Sequence, residues 1–168
     1  MLFRKKEKTY ILDEQSLSNS RCTPLIEKGI FQGQFLLMRQ PIYEVIPANV
    51  SRDELIEKRI KENIERIKKA SSNKVKIYEE QLNKNDFLKL AQKHKATIIV
   101  STNDTYNLLA SSLNEHHKDV KIINLNELYE ILKPDYLPGS EFKVIVSKKG
   151  KEEDEGIGYL EGGIKVVI

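Results

Sequence analysis

An apolar run that stops abruptly at polar residues constrains this chain more than any other feature of its sequence. Residues 96–100 are rich in β-branched side chains, and residues 101–104 follow them with no apolar residue. Such a run predicts a strand of a parallel sheet that is buried on both faces. Ligands of open α/β sheets bind just beyond the carboxyl ends of the strands, so the pattern predicts that Asp104 lies at a ligand site.

A second stretch, near the start of the chain, repeats this arrangement. Residues 8–12 predict a strand, and Asp13 follows its apolar end directly. Strands of a parallel sheet end at the same edge, so Asp13 and Asp104 are expected to share that edge. Two strands that each deliver a carboxylate there indicate a cation site.

Up to about residue 134, predicted strands alternate with predicted helices. This order predicts an α/β fold, a parallel sheet with helices on both faces. Further strands are expected at 35–38, 75–78 and 120–123. Helices are expected at residues 23–29, 41–46, 51–70, 86–94 and 104–113, and from Asn124 or Asn126 to Leu132. Their expected start signals include Thr23-Pro24, a Ser51 cap and Asn85. Residues 14–20 are expected to form a loop.

The C-terminal part of the sequence has a different character. Residues 142–147 are rich in strand-forming side chains, glycines punctuate residues 156–163, and residues 164–168 predict a last strand. This pattern predicts a small antiparallel β element. Residues 134–139 have the composition of a linker, which divides the chain into a domain at 1–134 and an extension at 135–168.

Composition limits the class of protein. The chain has 168 residues, 32% charged and 39% hydrophobic, which indicates a folded protein with one sizeable core. The single cysteine, Cys22, excludes a disulfide framework and fits a reducing compartment. No apolar run approaches the roughly 20 residues of a membrane span, and residues 1–8 are basic but lack the apolar core of a signal peptide. A cytoplasmic location is expected, with contact between the basic N-terminus and an anionic membrane surface as an alternative.

The longest predicted helix, residues 51–70, is rich in charged side chains. Its apolar residues recur at spacings of three and four and predict one buried face: Leu55, Ile56, Ile60, Ile64 and Ile67. Its charges are typical of a solvated face, and contact with nucleic acid is the alternative. The formal net charge of +3 is compatible with a polyanionic partner without requiring one.

Four acidic residues are candidates for chemistry, because each follows a predicted strand or opens a predicted helix at the same edge: Asp13, Glu44, Asp86 and Asp104. Converging carboxylates repel each other, and Mg²⁺ or Mn²⁺ relieves that repulsion. Such a cation activates water and neutralises a phosphate during hydrolysis. The alternative is that acids in first helical turns serve the helix dipole alone.

Other motifs carry less information. The three histidines, His94, His116 and His117, have no carboxylate or Cys partner at zinc-ligand spacing, and His116 and His117 are expected at the surface in a polar loop. Gly156-Ile157-Gly158 lacks the full dinucleotide fingerprint and follows acidic residues that repel phosphate.

Several segments resemble one known family, the PIN domains. Ile11 to Asp13 resembles the first PIN strand, Ile42 to Val45 the segment of the PIN glutamate, and Asn85 to Ala91 the helix opened by an Asp. The segment Asn103-Asp104, followed by Tyr106-Asn107-Leu108, is similar to the PIN signature. The C-terminal half resembles the bacterial PIN–TRAM proteins in residues 124–128, 132–134, 137–139, 150–152 and 156–160.

The resemblance implies a PIN-like, Rossmann-like sheet and a metal-dependent endonuclease that hydrolyses single-stranded RNA, with DNA as the alternative. It implies Mg²⁺ or Mn²⁺ held by Asp13, Glu44, Asp86 and Asp104, with Thr102 and Asn103 shaping the edge. Expected nucleic-acid contacts also include Arg21 and the lysines of a truncated TRAM-like tail: Lys143, Lys148, Lys149 and Lys151. The group includes integral-membrane members with a cytosolic PIN–TRAM part, so a cytosolic portion of a membrane-associated protein is a further alternative location.

The sequence also departs from the PIN pattern around the expected metal site. Glu14 and Gln15 stand where Thr-Ser or Thr-Asn is usual, Asn19 replaces an Asp, and Thr105 is an extra residue before Tyr106. These departures favour an alternative function, a PIN module that binds nucleic acid or a protein partner without cleaving. The tail ends about halfway through the usual TRAM barrel, which predicts an unpaired strand edge and favours a homo-oligomer as a third hypothesis.

Overall fold

The computed structural model describes residues 6–47, 53–132, 144–159 and 165–168 of the chain. It divides into two compact units, residues 1–128 and residues 129–168. The predicted boundary at residues 134–139 lies outside the described residues.

The first unit is built on a five-stranded parallel sheet, in the order β3-β2-β1-β4-β5. The register places Leu12 of β1 beside Leu37 of β2 on one side and beside Ile99 of β4 on the other. The predicted α/β class and all five predicted strands are confirmed. The strands are β1 (Lys8–Leu12), β2 (Gly33–Met38), β3 (Val75–Tyr78), β4 (Thr97–Val100) and β5 (Ile122–Asn124).

Helices cover both faces of this sheet because successive strand side chains point to opposite sides. One face packs Tyr10, Leu12 and Ile99 against α1 (Glu14–Ser18), α2 (Cys22–Glu27) and α3 (Glu54–Ala70). The other face packs Ile11 and Ile98 against α4 (Lys84–His94) and α5 (Asn103–Ser111). A last helix, α6 (Leu125–Leu132), follows β5, and its Leu125 joins the first core. The sheet is thereby buried on both sides.

The predicted loop at residues 14–20 is wrong, since α1 occupies its first part. Asp13 caps this helix by accepting a hydrogen bond from the Ser16 backbone N–H at 2.9 Å. Leu17 is fully buried and anchors the helix to the sheet, and the side-chain amide of Asn63 on α3 donates to its carbonyl. A polar sequence therefore becomes helical because a cap and one buried leucine stabilise it.

Other predicted boundaries shift by two residues or more. The second helix begins at Cys22, so Thr23 lies inside it rather than capping it, and α4 is capped by Asn83 rather than Asn85. The predicted helix at 41–46 is wrong, because Ile42 accepts only the bonds of a single turn from Val45 and Ile46.

The long helix also differs from its prediction at its first turn. Asp53 caps α3 through the Leu55 backbone N–H, and Ser51 lies outside the described residues. Leu55 was expected in the core, yet 69% of it is exposed. It precedes Ile56 by one position, which rotates its side chain away from the face that packs on the sheet.

The second unit contains a three-stranded antiparallel sheet, which confirms the small β element. Its strands are β6 (Ile145–Lys149), β7 (Gly156–Tyr159) and β8 (Lys165–Val167), with β7 in the centre. The register shifts between Val146 and Lys148, so Ser147 forms a bulge. Within the ranges that the structure describes, no helix has the length and apolar character needed to cross a membrane.

Candidate functional site

The strand order of the main sheet defines one place where a ligand crevice can form. From β1 the chain proceeds outward through β2 and β3, then returns to the other side of β1 with β4 and β5. The carboxyl ends of β1 and β4 therefore border the topological switch point, where open α/β sheets bind ligands. Asp13 follows β1, and residues 101–104 follow β4, so the two segments chosen from the sequence lie side by side.

Asp13 is a carboxylate almost completely enclosed by protein. Only 3% of the residue is exposed, and Glu14 beside it is also buried. Burial raises the pKa of Asp13 to about 6, and the neighbouring Glu14 charge adds to the rise, while hydrogen bonds from Ser16 oppose it. The buried charge is thus only partly compensated by the helix that it caps.

Gln15 links the segments that follow β1 and β4. Its side-chain Oε1 accepts hydrogen bonds from the hydroxyls of Thr105 at 2.9 Å and Thr102 at 3.1 Å. Thr102 is the N-cap of α5 and accepts a bond from the Thr105 backbone N–H. The first turns of α1 and α5 are consequently joined by a neutral amide at the switch point.

The other residues after β4 and β5 form a second polar network. Asn103 accepts a bond from the side-chain amide of the buried Asn124 at 2.8 Å. Asn126 donates to the Ser101 carbonyl at 2.8 Å. Asp104 lies in the first turn of α5 and is exposed. Thr102 and Asn103 therefore fix the local backbone, while Asp104 faces solvent.

Glu44 and Asp86 both lie at the N-terminus of α4. Glu44 accepts a hydrogen bond from the Lys84 backbone N–H at 2.9 Å, and Asp86 accepts one from the Asn83 side chain at 3.1 Å. Asp86 also lies 3.9 Å from the Lys89 ammonium group. Both residues are exposed, and both contacts are typical of acids that stabilise a helix start.

The topology places all four predicted carboxylates at the carboxyl edge of one sheet, but it does not gather them around one point. In the described part of the chain, no group of three or more His, Cys, Asp or Glu side chains is placed to hold a metal ion. Asp13, Glu44 and Asp86 instead accept hydrogen bonds at helix starts. As arranged here, these residues do not fit a divalent cation held by several carboxylates, and their ligand role stays a prediction.

The predicted nucleic-acid contacts fall in both units. Arg21 precedes α2, where its backbone N–H donates to Asn19. Lys148 and Lys149 lie on β6, and Lys151 follows it; all three are exposed. Lys143 lies outside the described residues.

The small sheet presents a face on which aromatic and basic side chains alternate with apolar ones. Tyr159 pairs with Ile145 and Lys165, and Ile157, two residues earlier on the same face, pairs with Lys148. Tyr159 is 45% exposed, and both lysines are exposed. Tyr159 and Lys165 were not predicted from the sequence as contacts, because their adjacency depends on strand register. Their one sequence signal is the period-two alternation of each strand.

Residues in other parts of the first unit serve the fold. Cys22 is buried in the core. His117, expected at the surface, is largely buried and lies 3.1 Å from Gln92 through Nδ1, which ties the loop after α5 to α4.

No protein-family model matches the chain, but curated proteins related to it were found. The chain is 32% identical over 169 residues to the uncharacterized PIN and TRAM-domain containing protein YacL of Bacillus subtilis. This match covers 96% of this chain and 45% of YacL. It is 43% identical over 70 residues to the uncharacterized PIN and TRAM-domain containing protein slr1972 of Synechocystis, across 42% of this chain and 18% of that protein.

A third relative, the uncharacterized PIN and TRAM-domain containing protein TTHA0540 of Thermus thermophilus, is 39% identical over 49 residues, 29% of this chain and 15% of that protein. The chain thus spans less than half the length of these curated relatives.

Proposed function

Since this chain belongs to the PIN-type family that its PIN and TRAM-domain relatives represent, we propose that it binds single-stranded nucleic acid, RNA rather than DNA, without cleaving it. The observation that carries this proposal is the basic and aromatic face of the small sheet. An exposed Tyr159 paired with Lys165, with Lys148 further along the same face opposite Ile157, combines a base-stacking surface with phosphate-binding charge. Proteins that bind single strands use this combination.

The chemistry available at the switch point supports the part of the proposal that excludes cleavage. Hydrolysis of a phosphodiester needs a water activated by a metal or a base, together with groups that neutralise the developing charge. Asp13 is buried and caps α1, while Glu44 and Asp86 accept hydrogen bonds at the start of α4. The neutral Gln15 side chain joins the first turns of α1 and α5. This arrangement supports binding better than catalysis.

The test is incubation of the full chain with fluorescein-labelled 20-nucleotide RNA, with and without Mn²⁺, followed by anisotropy and denaturing gels. We expect saturable binding of RNA, weaker binding of DNA of the same sequence, and intact RNA after incubation. Asp104→Asn should behave as the wild type in every lane. Cleavage that needs Mn²⁺ and disappears in Asp104→Asn would overturn the proposal, as would the absence of binding.

A second candidate is a Mg²⁺- or Mn²⁺-dependent endonuclease that acts on single-stranded RNA, and one observation favours it. Asp13 lies at the switch point as a buried carboxylate whose pKa is raised to about 6, a cost that a bound cation would offset. A cation bound there would activate water and neutralise phosphate charge. In that case Asp13 and Asp104 would hold the ion, with Glu44 and Asp86 from the start of α4, after side-chain movement toward the crevice. The gel assay above separates the two candidates.

A further inference from the structure

Gln15 joins the two segments that would have to supply a metal site, and its role is not explained by nucleic-acid binding. We infer that Gln15 is a positioning residue that holds the first turns of α1 and α5 in a cation-free arrangement, its amide forming the bridge that a divalent ion would otherwise form. This inference rests on the first proposal, in which the domain binds nucleic acid without cleaving it.

The bridge consists of close contacts among the Gln15 side-chain oxygen and the two threonine hydroxyls. Each threonine hydroxyl has one proton, and both protons can point at the same Gln15 oxygen, at 2.9 Å from Thr105 and 3.1 Å from Thr102. The Thr102 oxygen then accepts the Thr105 backbone N–H at 3.3 Å. Thr105 is fully buried, and its hydroxyl lies 2.9 Å from both Gln15 Oε1 and Thr102 Oγ1, so the three side chains form one connected cluster.

The bridge fixes the backbone segments that carry the two carboxylates of the switch point. Asp13 directly precedes α1, and Asp104 lies in the first turn of α5. Gln15 is neutral, so it joins these turns without adding charge beside the buried Asp13. Two carboxylates held this way, one of them occupied by its own helix cap, leave a divalent ion with too few oxygen ligands.

The inference predicts how two substitutions change cation binding. Gln15→Glu retains the side-chain length and the accepting oxygen but adds a negative charge near Asp13, Glu14 and Asp104, so the carboxylates around the switch point repel each other more strongly. Their repulsion is relieved by a divalent cation. Gln15→Ser removes the bridge without adding charge and should allow weaker binding than Gln15→Glu but tighter binding than the wild type.

The experiment is a Mn²⁺ titration of each full-length protein at pH 7.5, with free Mn²⁺ measured by electron paramagnetic resonance. We expect the wild type to have no saturable site with a Kd for Mn²⁺ below about 1 mM. Its affinity would then be lower than that of the weakest Ca²⁺-binding modules. A site at least tenfold tighter is expected in Gln15→Glu, and Asp13→Asn in the same chain should abolish it. The control is Gln32→Glu, which makes the same charge change at an exposed residue before β2, at the opposite edge of the sheet.

Two results would overturn the inference. One is a Mn²⁺ site below 1 mM in the wild type that Asp13→Asn removes. The other is the absence of any gain in a folded Gln15→Glu protein, with circular dichroism as the test of folding. If that variant does not fold, Gln15→Ser decides in the same way. Failure of RNA binding by the wild type would contradict the first proposal and leave these titrations unaffected.

Discussion

At the scale of single residues, the candidate site depends on which polar groups are already in use. Asp13 and Asp104 were both selected because they follow apolar strands, yet their surroundings differ: Asp13 is buried and caps α1, whereas Asp104 is exposed. Gln15 was noticed in the sequence only as a departure from a family pattern. Its partners Thr102 and Thr105 lie about 90 positions away, so no local pattern could reveal the bridge.

Replacing Asp13 by Asn should stabilise the protein in a pH-dependent way. The folded-state pKa is raised from 3.8 to about 6, so the folded protein binds a proton more tightly than the unfolded chain between these values. The contribution of Asp13 to stability is therefore present below about pH 4 and is lost as the pH rises through 6. We expect Asp13→Asn, which retains a capping oxygen, to raise the free energy of unfolding at pH 7.5 by up to about 3 kcal/mol.

Urea denaturation of both proteins at pH 7.5 and pH 4 measures this difference. Most of the gain should disappear at the lower pH, where the wild-type carboxyl group is protonated in the folded protein and partly protonated in the unfolded chain. An equal difference at the two pH values would show that the ionisation of Asp13 does not determine the effect.

Tyr159 should contribute to RNA binding through its ring rather than its hydroxyl. Removing one base–aromatic stack costs about 1–3 kcal/mol, so Tyr159→Ala should weaken binding by about 5- to 150-fold. Tyr159→Phe retains the ring and should bind within about twofold of the wild type. Fluorescence anisotropy with the labelled RNA gives both values, and equal weakening by both substitutions would argue against stacking.

At the scale of secondary structure, the strands were predicted better than the helix starts. A buried parallel strand is recognisable as an apolar run. A helix start depends instead on which of several polar side chains accepts a hydrogen bond from a backbone N–H group of the first turn. Asn83 and Asn85 are equally suitable as capping residues when judged from the sequence. In the structure, the Asn83 side chain accepts a hydrogen bond from the Asp86 backbone N–H at 2.9 Å. The turn at residues 41–47 fails to become a helix although its proline and glutamate suit one.

The cap of α4 provides a direct test of this assignment. Asn83→Ala should lower the free energy of unfolding by about 1 kcal/mol, because the helix loses its capping oxygen and Asp86 loses a partner. Asn85→Ala, at an exposed position in the same first turn, should change stability by less than about 0.5 kcal/mol. Thermal and urea unfolding of the two variants would contradict the assignment if Asn85→Ala proved the more destabilising.

At the scale of the whole molecule, the first unit is held together by two apolar layers on either side of the sheet. Cys22 lies in the layer formed with α1, α2 and α3, and it is fully buried. Burial raises the pKa of its thiol, so the reactive thiolate is suppressed while the protein stays folded. The cysteine therefore reports on opening of the core.

Cys22 should react with a disulfide reagent such as Ellman's reagent only when the core opens. At pH 8 we expect the native protein to react at least about a thousandfold more slowly than the protein in 8 M urea, as expected for a core with several kcal/mol of stability. Absorbance of the released thiolate measures both rates. Comparable rates in the two conditions would place Cys22 outside a stable core.

The sequence by itself determined the fold class, the five parallel strands, the small antiparallel element and the PIN-type family, because buried strands and local motifs are contiguous in the chain. It also predicted that Asp13 and Asp104 share one edge, since parallel strands end together. Only the tertiary structure decided how those groups are used. It showed Asp13 as a buried cap, Gln15 as the bridge to Thr102 and Thr105, and Tyr159 beside Lys165, because each of these depends on hydrogen bonds or strand register between residues that are not neighbours in sequence.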